Sequence, residues 1–237
     1  MKGVRDIFVR YEPNMEDYRL ESASFIEGLP GIGLVAKIAV AYLLSKVKHS
    51  KICRIHSLHF PNLVYVSDNK LLSTFTDVYA VEEPAPVLVM YGNAQPSSSY
   101  GQYVFCNTVM DLAIRHGATR VFTVGGLGGK DKITLRREIY CSSSKRDYLE
   151  KYVKIVDGQV YSGQIVGAVG LLSTIAGMKS VENMGMLVEI SDSVPDYYAA
   201  KRAAEALSVL TGLNVPIGDV EDLIKTSARY GIMLESS

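Results

Sequence analysis

The chain has 237 residues, 48% of them hydrophobic and 21% charged, a composition that argues against disorder and suits a core burying about 70% of the unfolded surface without disulfide or metal staples. Twenty-five basic residues cancel 25 acidic ones, which removes the electrostatic case for nucleic acid or an anionic membrane as a partner. Cys53, Cys106 and Cys141 are widely spaced with no C-x-x-C pair, Met1 to Tyr11 is too polar for a secretion signal, and Leu34 to Leu44 is too short to span a bilayer; together they predict a soluble, cytoplasmic protein.

Taken in order, Ser24 to Glu27 reads as a strand, Gly28-Leu-Pro-Gly-Ile-Gly33 as a glycine-rich turn, and Leu34 to Lys46 as the apolar helix it opens. Lys51 to His59 is a strand ended by Pro61, and Leu63 to Val66 with Leu71 to Tyr79 reads as a hairpin about Ser67-Asp68-Asn69. Val87 to Tyr91 is apolar throughout, as in a strand buried on both faces. Pro96 to Ser99 caps a helix from Tyr100 to His116, closed by Gly117, and Arg120 to Val124 is the next buried strand, running into Gly125 to Gly129. Ile133 to Ser142 supplies one or two strands and Lys145 to Tyr152 a short helix. Gly163 to Gly177 reads as a second glycine-opened helix whose small residues at 163, 167 and 170 admit a close neighbour. Met184 to Ile190 is the last buried strand, with Glu189 and Asp192 at its carboxyl end. Helices follow from Asp196 to Thr211 and from Asp219 to about Ile232. The order predicts one α/β domain over 1–237, with its core at about 20–212, a mostly parallel sheet and flanking helices.

The motifs exclude more chemistry than they supply. Gly31-Ile-Gly33-Leu-Val-Ala36 matches a dinucleotide turn, but Lys51 to His56, where the ribose-binding acid belongs, contains none. Leu34 and Val35 stand where a P-loop needs Lys and Ser or Thr. His56 and His59 point to opposite faces of a strand and do not share a metal, and no G-x-S-x-G elbow is present. His49 and His116 follow helix ends, where an imidazolium favours the dipole. Lys130, Lys132, Arg136 and Arg137 form a basic cluster diluted by Asp131 and Glu138, and read as a solvated loop. Tyr197, Tyr198 and Tyr230 suit subunit contact and core packing equally. The positional candidates are the loops after buried strands: Gly31, Gly33, Asn93, Gln95, Gly125, Gly126 and Glu189 would line a crevice at the carboxyl edge of the sheet. No catalytic residue, cofactor or metal is assigned there. The crevice holds either a nucleoside- or anion-like ligand, at an open helix N-terminus, or simply the next strand.

Phe25-Ile-Glu-Gly-Leu-Pro-Gly-Ile-Gly-Leu-Val35, Gly92-Asn-Ala-Gln-Pro96, Val121-Phe-Thr-Val-Gly-Gly126, Gly163-Gln-Ile-Val-Gly-Ala-Val-Gly-Leu-Leu172 and Pro195-Asp-Tyr-Tyr-Ala-Ala-Lys201 occur in an order that resembles the proteasome assembly chaperone 2 (PAC2) family in its archaeal-type form. The resemblance implies an α/β fold similar to nucleoside phosphorylases, a homo-oligomer, often a trimer, and a non-enzymatic role in assembling proteasome α-subunit rings. Several such chaperones dock through a hydrophobic–Tyr–any tail, which Met233-Leu-Glu-Ser-Ser237 does not carry. The expected contact is therefore through the folded surface. On that reading, a bulky residue at Gly31 would destroy folding or oligomerisation.

Overall fold

A computed structural model describes residues 6–67, 69–128, 135–191 and 194–232. Asp68, Gly129, Lys130, Asp131, Lys132, the start of the strand expected from Ile133, Asp192 and the tail Met233 to Ser237 lie outside the described residues.

The strands are β1 (Ile7–Tyr11), β2 (Ala23–Gly28), β3 (Ser50–Ser57), β4 (Val64–Ser67), β5 (Lys70–Ser73), β6 (Thr76–Val81), β7 (Val87–Gly92), β8 (Ala118–Leu127), β9 (Ile139–Ser142), β10 (Gln159–Val160) and β11 (Glu182–Glu189). The helices are α1 (Val35–Lys46), α2 (Ser99–Arg115), α3 (Arg146–Val153), α4 (Ala168–Met178), α5 (Tyr197–Thr211) and α6 (Val220–Arg229). Nine strands form one sheet in the order β1-β3-β6-β7-β2-β8-β11-β9-β10, and β4 and β5 pair with each other alone.

The sheet is mixed, which corrects the expectation of a mostly parallel one. β2, β7, β8 and β11 are mutually parallel at its centre, and β10 runs parallel to β9. The β1–β3, β3–β6, β6–β7 and β9–β11 pairs are antiparallel. The reason is connection length: β6 reaches β7 through residues 82–86, too few for the crossover that a parallel neighbour needs. The segment from Leu71 to Tyr79 is two strands, β5 paired with β4 and β6 inserted in the main sheet.

Helices α1, α3, α5 and α6 cover one face, and α2 and α4 the other. Every residue of β2 and β7 is buried, as their apolar runs require. α1 is apolar on all sides because it lies between the sheet and the α5–α6 layer, with Val35 to Leu44 all buried. The Gly218 N–H donates to the Tyr42 hydroxyl at 2.9 Å, tying the approach to α6 onto α1. α2 begins as its serines predict, with Ser98 Oγ accepting the Gly101 N–H at 3.1 Å. α4 starts at Ala168 rather than Gly163, and Gly170 faces Ile165 of its own leading loop instead of another element. His116 is buried, and burial pushes its pKa down. Its Nδ1 donates to the Tyr18 carbonyl at 2.5 Å, so it is a hydrogen-bonded core histidine in which burial disfavours the imidazolium. All three cysteines are buried, with burial pushing each thiol up to about 12. No helix among the described residues is long and apolar enough to cross a membrane.

Candidate functional site

The loops at the carboxyl edge of the parallel strands bring part of the expected crevice together and fill it with protein. After β2 the chain makes a 3-10 turn over Ile32–Leu34, with the Leu34 N–H on the Gly31 carbonyl at 2.9 Å. Gly33 takes φ +69°, and a β-carbon there would meet Ile190 Cγ2 at 3.1 Å. Gly126 of β8 lies beneath this turn, where a β-carbon would sit 2.4 Å from the Ile32 carbonyl oxygen. Gln95 Nε2 donates to the Pro30 carbonyl, and Gln95 Oε1 accepts from Gln102 Nε2 at 3.3 Å. Gly31, Gly33, Gln95 and Gly126 therefore surround one loop. The first turn of α1 (Val35, Ala36, Lys37) is buried rather than open to a ligand.

The other three candidates have separate surroundings. Gly125 lies under Val169 of α4, whose Cγ2 would be 3.0 Å from an added β-carbon. Glu189, at the end of β11, is buried, with its N–H on the Glu138 carbonyl at 2.9 Å. Asn93 pins the strand ends on the far side of β7: its Oδ1 accepts the Phe75 N–H at 2.7 Å and its Nδ2 donates to the Ser73 carbonyl at 3.3 Å.

Two acids missed by the sequence reading organise this edge. Glu27 is fully buried in β2, and Oε2 accepts the Leu29 N–H at 3.0 Å. Desolvation pushes its pKa up to about 7, against the lowering effect of hydrogen bonds from the Leu29 and Val124 backbones. A carboxyl raised above its unfolded value favours the fold below about pH 4.5 and loses that contribution as pH rises through 7. Relative to the native chain, Glu27→Gln should therefore gain about 3 kcal/mol in unfolding free energy between pH 5 and pH 8. Urea titrations at the two pH values check this, and parallel behaviour of the two proteins would refute it. The signal was a single acid inside the apolar run Phe25-Ile-Glu27.

The second acid is Asp196, which caps α5 through the Ala199 N–H at 3.0 Å and accepts the Ser191 N–H at 2.7 Å and the Ser191 hydroxyl at 3.0 Å. Arg137 reaches it at 3.0 Å, both side chains being nearly buried. The Asp196 N–H in turn donates to the Gly33 carbonyl at 3.0 Å, so this acid locks the glycine turn to the start of α5. The expected basic cluster is divided: Arg137 enters this buried pair, while Arg136 pairs with Asp157 at the surface. Tyr230 packs edge-on against Tyr91 with ring centroids 5.7 Å apart, and Tyr198 is exposed.

What the edge leaves open is apolar. On the β4–β5 hairpin, Val66 pairs with Leu71, and they are 68% and 75% exposed; Val64 on the same face is exposed too. Ile32 at the tip of the glycine turn and Val166 before α4 are 64% and 90% exposed, with Tyr100 and Tyr103 of α2 also exposed. Scattered exposed apolar residues are ordinary, but Val64, Val66 and Leu71 stand together on one face of the hairpin, with Ser73 beside Val64.

Residues 25–230 match the profile of the PAC2 family. Over 214 residues the chain is 31% identical to the uncharacterized protein MJ1210 of Methanocaldococcus jannaschii, an alignment covering 89% of this chain and 82% of that one. Two solved structures from Pyrococcus furiosus share the fold. PbaB, described as an archaeal proteasome activator, has a TM-score of 0.80 at 24% identity, over 98% of this chain and 99% of its own. PbaA, described as an archaeal homolog of proteasome-assembly chaperone, has a TM-score of 0.75 at 22% identity, over 98% and 91%. The match runs through the glycine turn, the Asp196 junction and the terminal helices, and the chain belongs to the PAC2 family.

Proposed function

We propose that this protein is a cytoplasmic, non-enzymatic assembly factor that acts as a homo-oligomer, a trimer in the simplest case, and binds proteasome α-subunits through its folded surface. Membership of the PAC2 family over residues 25–230 supports a proteasome-assembly role, and the likeness in fold to PbaB and PbaA is consistent with it. In this reading the sheet and its helices are a framework of the nucleoside phosphorylase type used for presentation. A shared framework carries no chemistry with it. The observation that carries the choice of a surface mechanism is the hairpin with Val66 and Leu71 turned to solvent. The glycine turn is packed from below by Gly126 and from the side by Ile190, which leaves it a structural rather than a ligand-binding part in this reading.

Native mass spectrometry of the protein alone and mixed with cognate α-subunits tests the reading. A defined oligomer that forms discrete complexes with α-subunits supports it, and an oligomer that ignores them overturns it. Val66→Glu/Leu71→Glu places two like charges on a face that is already exposed, so the fold should persist. The expected result is loss of at least nine-tenths of the oligomer or of the α-subunit complex, with an unchanged circular dichroism spectrum.

A further inference from the structure

The main sheet ends in two unlike edges. β10, at one end, has two residues, whereas β1, at the other, has five and pairs only with β3 among the described residues. β1 runs beside β3 without a register shift, and Ile7-Phe-Val-Arg-Tyr11 holds no proline or glycine that would blunt the edge against further pairing.

The ladder fixes which backbone groups of β1 face outward. The Leu58 N–H donates to the Asp6 carbonyl and the Glu12 N–H to the Ile52 carbonyl, each at 2.9 Å. Both bonds lie in the register that sets Phe8 against His56 and Arg10 against Arg54. Successive residues of a strand turn their N–H and C=O to opposite sides, so the even-numbered residues direct theirs to β3. Ile7, Val9 and Tyr11 therefore present theirs along the outer edge. The side chains of these three pack on the core beneath α2, while Phe8, 47% exposed, and Arg10 stand on the other face.

A second copy of β1, laid antiparallel about a two-fold axis at Val9, fits this edge. Val9 meets Val9 and Ile7 meets Tyr11, all with outward backbone groups, and the five residues overlap completely. Between them, Phe8 of each chain meets Arg10 of the other in a non-hydrogen-bonded pair, where side chains come closest. A guanidinium against an aromatic ring is favourable there. The neighbouring registers are worse. Centred on Arg10, the pairing opposes two arginines; centred on Phe8, it uses three of the five residues. A shift of one residue on one strand puts outward groups opposite groups already bonded to β3.

We propose that β1 is the docking edge for a second copy of this chain, through an antiparallel, two-fold β1–β1 pairing centred on Val9. The contact is isologous and joins chains in pairs. It adds a second surface to the proposed homo-oligomer, so that a closed trimer would be doubled, and it does not depend on α-subunit binding.

Sedimentation velocity of the full chain over the micromolar concentration range tests it. Five paired residues a side make a small contact, so the mass should double as concentration rises. Phe8→Lys sets two cations against each other and should weaken the doubling about tenfold, with an unchanged circular dichroism spectrum because the position is exposed. Adding Arg10→Glu puts opposite charges across the pair and should restore the doubling. A mass that does not double, doubling undiminished in Phe8→Lys, or no recovery in Phe8→Lys/Arg10→Glu would overturn the proposal. Doubling in a protein that ignores α-subunits still supports it, so the two readings fail separately.

Discussion

Gly126→Val should lower the melting temperature by about 6–12 °C, whereas Gly31→Val, in the loop above it, should leave it within about 2 °C. The two glycines belong to the same motif-rich edge, yet only one is crowded. A β-carbon on Gly126 would lie 2.4 Å from the Ile32 carbonyl oxygen and 3.0 Å from Ile190 Cγ2. The Ile32 segment cannot yield cheaply. Gln95 holds the Pro30 carbonyl, the Leu34 N–H closes on Gly31, and the Asp196 N–H holds the Gly33 carbonyl. Inserting a side chain into a site fixed on three sides costs about 3 kcal/mol or more. At Gly31 the backbone is extended, with φ −154°, and the nearest atom to an added β-carbon is Gln95 Nε2 at 3.8 Å. For the fold of the single chain, the crowded glycine is therefore Gly126 rather than Gly31. Thermal unfolding followed by circular dichroism separates the two, and equal losses would show that the turn is less firmly held than its bonds imply.

The same contrast explains what was legible in the sequence. Strands β2, β7, β8 and β11 and helices α1, α2, α5 and α6 were visible because each is an apolar run or periodic stretch with a clear start or stop. β1 was missed because Ile7-Phe-Val-Arg-Tyr11 alternates at an edge and buries none of its residues fully. β10 has two residues, too few for any periodicity. Strand direction was misjudged because composition does not encode it, although the short Glu82-to-Pro86 connection was a usable signal for the antiparallel β6–β7 pair. The candidate residues were found by position, as loops following buried strands. Position cannot distinguish a glycine that admits a ligand from one that admits another segment of its own chain, and Gly126 is of the second kind. Nor does it reveal side chains that converge from distant segments, such as Lys37, Arg54 and Arg229 on one cavity.

Asp196→Ala should destabilise the fold by about 3–5 kcal/mol, because it removes three interactions with one side chain. The α5 N-terminus loses its cap, Ser191 loses the acceptor for its N–H and hydroxyl, and Arg137 is left in a buried position beside an apolar methyl. Burial by itself would raise the Asp196 pKa, but the Ala199 and Ser191 donors, followed by the Arg137 charge, hold it below the usual aspartate value. The sign follows: a depressed carboxyl contributes stability above its unfolded pKa and loses it as pH falls through the folded one. The native chain should therefore lose this contribution only on acidification below the ordinary aspartate range, and Asp196→Ala should be less acid-sensitive there. Replacing the pair together, as Arg137→Met/Asp196→Leu, removes the guanidinium along with its carboxylate and should recover part of the loss. Urea unfolding of the three proteins at pH 7 and in acid reads both effects. If the double variant were no more stable than Asp196→Ala, the cost would lie in the cap and the Ser191 bonds rather than in the buried charge.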